Sequence, residues 1–138
     1  MNIIAHPFAY PLTAMVTLAA LILYFWITFQ VGRARMKHKV APPHVNGPEE
    51  FLRVLRTQQN TAEQLVLYIP LLWLCAGIMG DAYAAAAGGI WPLGRLFYAM
   101  GYYLEAEKRF YGFFLNMASY FLLLAGCLVG LYGTFANI

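Results

Sequence analysis

Charge is scarce in this chain. Nine lysines and arginines and six acids in 138 residues make 11% charged side chains, where soluble domains carry about 25%. With 62% hydrophobic residues beside that deficit, a solvated surface on all sides is excluded, and with it a soluble enzyme or a nucleic-acid binder. Cysteine is also rare. Cys75 and Cys127 both lie in apolar runs, which fits packed thiols and excludes a disulfide scaffold. The three histidines, His6, His38 and His44, lack metal-ligand spacing, so no metal site is expected. The length leaves room for one domain, residues 1–138, and for no separate soluble module.

What the chain does have is long apolar runs. A helix across the hydrocarbon needs about 20 mostly apolar residues. Four candidates meet that need, at about residues 8–32, 49–79, 82–104 and 110–135. The first has no charge before Arg33 and no basic segment ahead of it, so it reads as a span rather than a signal peptide. The second starts polar at Glu49 and turns apolar from Leu65 to Met79, with Pro70 predicted to kink it. In the fourth, Gly126, Gly130 and Gly133 point to close helix packing. The expected fold is an all-α integral membrane bundle of four transmembrane helices.

The connections set an orientation. The first, Arg33 to Pro48, is a basic loop stiffened by Pro42, Pro43 and Pro48, and the third, Glu105 to Arg109, is short and charged. The second, around Gly80 and Asp81, is very short and carries no Lys or Arg. The positive-inside rule therefore puts the first and third connections in the cytoplasm and both termini on the opposite side.

Polar residues break the apolar pattern at that basic end. Arg56, Asn60 and Glu63 follow one another at i, i+4 and i+7, within about 60° on a helix. Opposite charges and an amide on one stripe make poor lipid contacts and a good lining for a polar site. The third run answers with Arg95, Tyr98 and Tyr102, at i, i+3 and i+7; were the helix to continue, Glu105 and Arg109 would extend the stripe. Arg109 opens the fourth run, a place suited to an anion or thiolate. Arg53 sits one turn before Arg56 and reads as an interfacial, structural cation. Surplus positive charge around one carboxylate, Glu63, matches a ligand with two or more anionic groups and one ammonium, and Gln58 and Asn60 suit amides on it.

These residues resemble the MAPEG family, the membrane-associated proteins in eicosanoid and glutathione metabolism. The stronger segment is V-A-P-P-H-V-N-G-P-E-E-F-L-R-V-L-R-T-Q-Q-N-T-A-E, Val40 to Glu63, which looks like the leukotriene-forming and microsomal glutathione transferase branch. The second is G-R-L-F-Y-A-M-G-Y, Gly94 to Tyr102, with Arg109 following at the family's spacing. The resemblance implies a homotrimer of four-helix subunits binding glutathione between neighbours. It implies that Arg56, Asn60, Glu63, Tyr98 and Tyr102 contact the tripeptide, with Gln58 and Arg35 as further contacts. Arg109 matches the arginine that stabilises the thiolate, and Arg95 one with a more structural role.

The implied activity is glutathione transfer to a lipophilic electrophile that enters from the bilayer, among the membrane lipids, with glutathione-dependent peroxidase chemistry as a companion; the short tails fit a bacterial inner membrane, with the endoplasmic reticulum as the alternative. The alternatives are a non-catalytic lipid- or glutathione-binding scaffold of the same family and a small transporter subunit; polar residues gathered at one end speak against the latter. Three positions depart from the leukotriene-forming branch: Gln64 replaces an aromatic residue, Gly112 a proline and Met36 an arginine. They bear on the electrophile more than on the thiol.

Overall fold

The computed structural model describes residues 8–138; His6 lies outside them. It contains α1 (Pro11–His38), α2 (Glu49–Met79), α3 (Asp81–Leu104), a 3-10 turn (Ala106–Arg109) and α4 (Phe110–Ala136). The last three helices start and stop within a residue of where hydropathy places them. The first does not. It begins at Pro11, where a proline's missing N–H costs nothing, and it runs six residues past Gly32. The loss of hydropathy at Arg33 marks where the chain leaves its apolar run, and the helix continues beyond it. Arg35, Lys37 and His38 in the last turn suit the negative end of the helix dipole. The helix stops only at Lys39, in the left-handed region at φ 54. Arg33, Arg35 and Lys37 thus stand on a helix, not in the predicted loop.

Both internal prolines are accommodated: α2 runs through Pro70 and α3 through Pro92 without interruption. Between these helices stands one residue, Gly80, at φ 91, a conformation that glycine adopts without strain. Asp81, expected in a loop, is the first residue of α3. Its carboxylate accepts hydrogen bonds from the Leu12 amide (3.0 Å) and the Thr13 amide (2.8 Å), so it caps α1 from another element.

The central core joins Ala20 of α1, Tyr68, Leu72, Cys75 and Ala76 of α2, Ala84, Ala87 and Trp91 of α3, and Leu123 and Cys127 of α4. Tyr68 stacks on Trp91 with ring centroids 4.3 Å apart, and its hydroxyl donates to the Gly88 carbonyl at 2.8 Å. Outside that core the surface is apolar, with Ile22, Phe25, Val66, Phe121 and Val129 all exposed. Such a surface fits a chain embedded in a membrane.

Three of the four helices, α1, α2 and α4, are long and apolar enough to cross a membrane. The fourth expected span, α3, falls short of that measure in hydropathy alone. At 24 residues α3 is long enough, but Arg95 and its glycines and tyrosines dilute its hydropathy. It packs against all three other helices, so most of its face meets protein rather than lipid and its sequence need not be uniformly apolar.

Close approach explains two of the three predicted packing glycines. A Cβ on Gly126 would overlap the Tyr83 ring and one on Gly130 would overlap Ile78, whereas Gly133 has nothing within 4 Å. The tightest approach is at Gly112, where an added Cβ would strike the Tyr98 amide and the Gly94 carbonyl. Gly112→Ala is expected to lower the melting temperature of the detergent-solubilised protein by several degrees, a cost of about 1–3 kcal/mol for forced backbone separation. Gly133→Ala should melt no earlier than the parent.

Candidate active site

The polar stripes of α2 and α3 meet at one point. Asn60 donates through Nδ2 to the Tyr98 hydroxyl at 2.9 Å. Tyr98 is buried, and under its ring lies Arg95, with Cζ 4.0 Å from the centroid. Tyr102 stacks on Tyr98 at 5.8 Å, and the Arg109 guanidinium lies 5.0 Å from the Tyr102 centroid. Asn60, Tyr98, Tyr102 and Arg109 therefore form a continuous chain of contacts drawn from α2, α3 and the 3-10 turn that leads into α4. Arg109 does not arrive by extension of α3. That helix ends at Leu104, Glu105 is extended (φ −150, ψ 144), and the 3-10 turn carries the chain back to set Arg109 beside Tyr102.

Arg95 is 2% exposed and has no carboxylate within 4 Å among the described residues. Its charge is met in part by neutral groups, while Nη2 is buried without a partner. Nε donates to Thr61 Oγ1 at 2.9 Å and Nη1 to Asn116 Oδ1 at 3.5 Å, while Asn116 Nδ2 donates to the Trp91 carbonyl at 2.8 Å. The Tyr98 face supplies a cation–π contact. Thr61, Asn116 and Trp91 were not singled out from the sequence. Asn116 gave one signal, an amide alone in an otherwise apolar run; Thr61 gave none, since threonine is ordinary in a helix.

Arg56 and Glu63, the two charges of the α2 stripe, are exposed. Neither finds an ion-pair partner among the described residues; Arg56 reaches only Gln59 Oε1, at 3.4 Å. They stand on the same helical face as Asn60 and remain free to meet a ligand's charges. Gln58 points elsewhere, two residues and roughly 200° round the helix from Arg56, where its Nε2 donates to the Tyr24 hydroxyl of α1 at 2.8 Å. Arg35 is turned into the first connection, donating to the carbonyls of Val40 (3.2 Å) and His44 (2.7 Å) and lying over the Phe51 ring. Arg53 pairs with Glu49 at 3.4 Å. One chain thus assembles Asn60, Tyr98, Tyr102, Arg95 and Arg109 and leaves Gln58 and Arg35 on another wall.

One turn along the α2 stripe from Asn60 the lining changes character. Gln64, Leu67 and Leu71 of α2 face Met117, Tyr120, Phe121 and Leu124 of α4 across a groove of about 290 Å³. The Tyr120 hydroxyl closes its floor by donating to the Gln64 carbonyl at 3.0 Å. The Gln64 side-chain oxygen is buried there without a partner.

The MAPEG family model matches residues 13–129 of the chain. An uncharacterised protein of Synechocystis is 47% identical over 118 residues, 86% of each chain. Microsomal glutathione S-transferase 2 of Mus musculus is 38% identical over 91% of this chain and 86% of its own length. Leukotriene C4 synthase of Cavia porcellus is 36% identical over 90% of this chain and 83% of its own.

The buried guanidinium gives a direct test of the site's framework. Thr61→Val keeps shape but leaves Arg95 Nε without an acceptor. It is expected to cost about 1–3 kcal/mol of stability, read as an earlier thermal transition, and Thr61→Ser should restore most of it.

Proposed function

The chain belongs to the MAPEG family, and on that premise we propose that it is a membrane-bound glutathione transferase conjugating glutathione to lipophilic electrophiles. The observation that carries this reading is the contact chain Asn60–Tyr98–Tyr102–Arg109 beside two unpaired opposite charges, Arg56 and Glu63. Glutathione offers two carboxylates, an ammonium, two amides and a thiol. Arg56 suits a carboxylate, Glu63 the ammonium, and Asn60 with the tyrosine hydroxyls the amide groups.

Arg109 serves the sulfur. A free thiol has a pKa of about 8.5, so little thiolate exists at neutral pH. Lowering it by two units requires about 2.7 kcal/mol of preference for the anion, within reach of one guanidinium in a partly dry site. The thiolate then attacks the electrophilic carbon. A C–S bond forms, and either the leaving group departs with its electron pair or an activated double bond takes up a proton. A lipid hydroperoxide would instead be reduced at its O–O bond by two glutathione molecules, giving alcohol, water and the glutathione disulfide.

The apolar groove supports a lipophilic acceptor. It continues the same stripe of α2, so a molecule lying along Leu67 and Leu71 would bring its reactive end toward Asn60. The placement of Gln58 and Arg35 fits a site shared between copies, and the family resemblance makes that assembly a homotrimer. Because Gln58 faces away from Arg56, one chain cannot close both around a single ligand, whereas a neighbouring copy can present its own Gln58 and Arg35 to the open stripe. In this reading the basic end of the bundle faces the cytoplasm of a bacterial inner membrane.

Arg109→Ala should lower turnover of a generic aryl halide by about a hundredfold or more and abolish the thiolate absorbance that appears on adding glutathione, while retaining much of the glutathione binding. Glu63→Ala and Arg56→Ala should act mainly on binding. Unchanged turnover in Arg109→Ala would remove the thiolate role, and a parent protein that binds glutathione without any turnover would be a scaffold.

A further inference from the structure

Away from that site, a second polar cavity of about 280 Å³ opens at the basic end, among α1, α2 and α3. Its wall is a stripe of α1 at helical spacing: Gln30, Arg33, Ala34, Lys37 and His38. Glu50 and Val54 of α2 and Tyr103 of α3 close it. None of these residues belongs to the proposed glutathione site.

Two features mark the cavity as incomplete without a ligand. The Tyr103 hydroxyl and His38 Nε2 are both buried and lack a hydrogen-bond partner, although buried polar groups are ordinarily paired. The charge is also unbalanced. Glu50 is engaged by Lys37 at 2.6 Å and lies 3.6 Å from His38 Nε2, while Arg33 has no ion-pair partner among the described residues. A guanidinium and an ammonium one turn apart on α1, with a phenolic O–H from α3 opposite, suit an anion whose oxygens accept from several directions, as a phosphate does.

The cavity also has a neighbour that a soluble anion would not need. The α1 stripe continues away from Arg33 as Phe29, Trp26 and Ile22, all apolar and exposed. Trp26 packs on the Tyr103 ring, with centroids 6.1 Å apart. A headgroup in the cavity would therefore have its acyl chains in register with an apolar strip of helix on the lipid-facing surface. We propose that this cavity is a binding site for the phosphate headgroup of an anionic phospholipid, with Arg33, Lys37 and Tyr103 as its donors. Basic pockets at the ends of transmembrane helices recognise such headgroups. The net positive charge selects against headgroups that carry their own ammonium.

The test is native mass spectrometry of the full chain in detergent, with phosphatidylglycerol and phosphatidylcholine of identical acyl chains. The parent should retain phosphatidylglycerol several-fold better than phosphatidylcholine. Arg33→Gln and Tyr103→Phe should each cut that retention about tenfold or more, the effect of one lost hydrogen bond to a charged group. Both should titrate with glutathione like the parent, which shows that they are folded. Tyr103→Phe keeps its ring on Trp26 and stands as the independent variant. Equal retention of the two lipids, or retention unchanged in both variants, overturns the site. A parallel melting series with inorganic phosphate alone distinguishes the source: protection that Arg33→Gln abolishes, without selective phosphatidylglycerol retention, would mean a soluble anion and overturn the lipid reading.

Discussion

A guanidinium inside a helical bundle needs compensation from its neighbours, because an ion taken from water without it costs several kcal/mol. Arg95 sets that condition here. It stands on α3, takes Thr61 from α2 and Asn116 from α4, and lies against the Tyr98 ring. Three helices are thereby fixed in register at one depth. Asn116 is in turn held by the Trp91 carbonyl, and Trp91 stacks on Tyr68 in the apolar core. The polar site and the core are thus joined through shared residues, and a shift in either would unpair a buried charge. No carboxylate shares the position, so the arginine keeps its hydrogen-bonding geometry without neutralising the charge beside it. Net positive potential at Tyr98 and Tyr102 follows from that choice.

Close packing makes the arrangement possible. Gly94 and Gly112 let the backbones of α3 and α4 meet at Tyr98, one helical turn from where Tyr102 and Arg109 come together. A side chain at Gly112 would separate these helices and draw Arg109 away from Tyr102. The departure at this position from the leukotriene-forming branch therefore has a structural account in this chain. Gly80, at positive φ, performs the other tight reversal, and Asp81 directly after it ties the start of α1 to the start of α3. Short connections at both ends leave the helices little freedom to slide.

Much of this was legible in the sequence, and the reasons are particular. Apolar runs gave the extents of α2, α3 and α4 because their ends coincide with glycine, proline or charge. The end of α1 was hidden because hydropathy reports solvent, not helicity, and Arg33 to His38 is charged and helical at once. The stripe Arg56, Asn60, Glu63 and its partner Arg95, Tyr98, Tyr102 could be read because helical spacing alone puts each set on one face. Their junction, Asn60 to Tyr98, required knowing how two helices cross. Arg109 beside Tyr102 required the break at Glu105, which periodicity continued past. The different direction of Gln58 was implicit in its spacing from Arg56, yet its tie to Tyr24 depends on α1 lying against that face.

The helix α2 joins two solvents in one element. From Glu49 to Gln64 it is polar, and from Leu65 to Met79 it is apolar, while a single stripe runs through both parts. Asn60 ends the hydrogen-bonded portion and Leu67 begins the groove, with Gln64 between them carrying a buried, unpartnered oxygen. Because a helix rises about 1.5 Å per residue, Asn60 and Leu67 stand roughly 10 Å apart. A water-soluble thiol held by the first and an apolar acceptor held by the second would meet within that interval. In the proposed reading the change from polar to apolar lining falls inside the stripe, at Gln64. On the proposed function, a reaction between partners from the two phases would need no transfer of either one across the membrane, each being bound on the part of the helix that matches its own solvent.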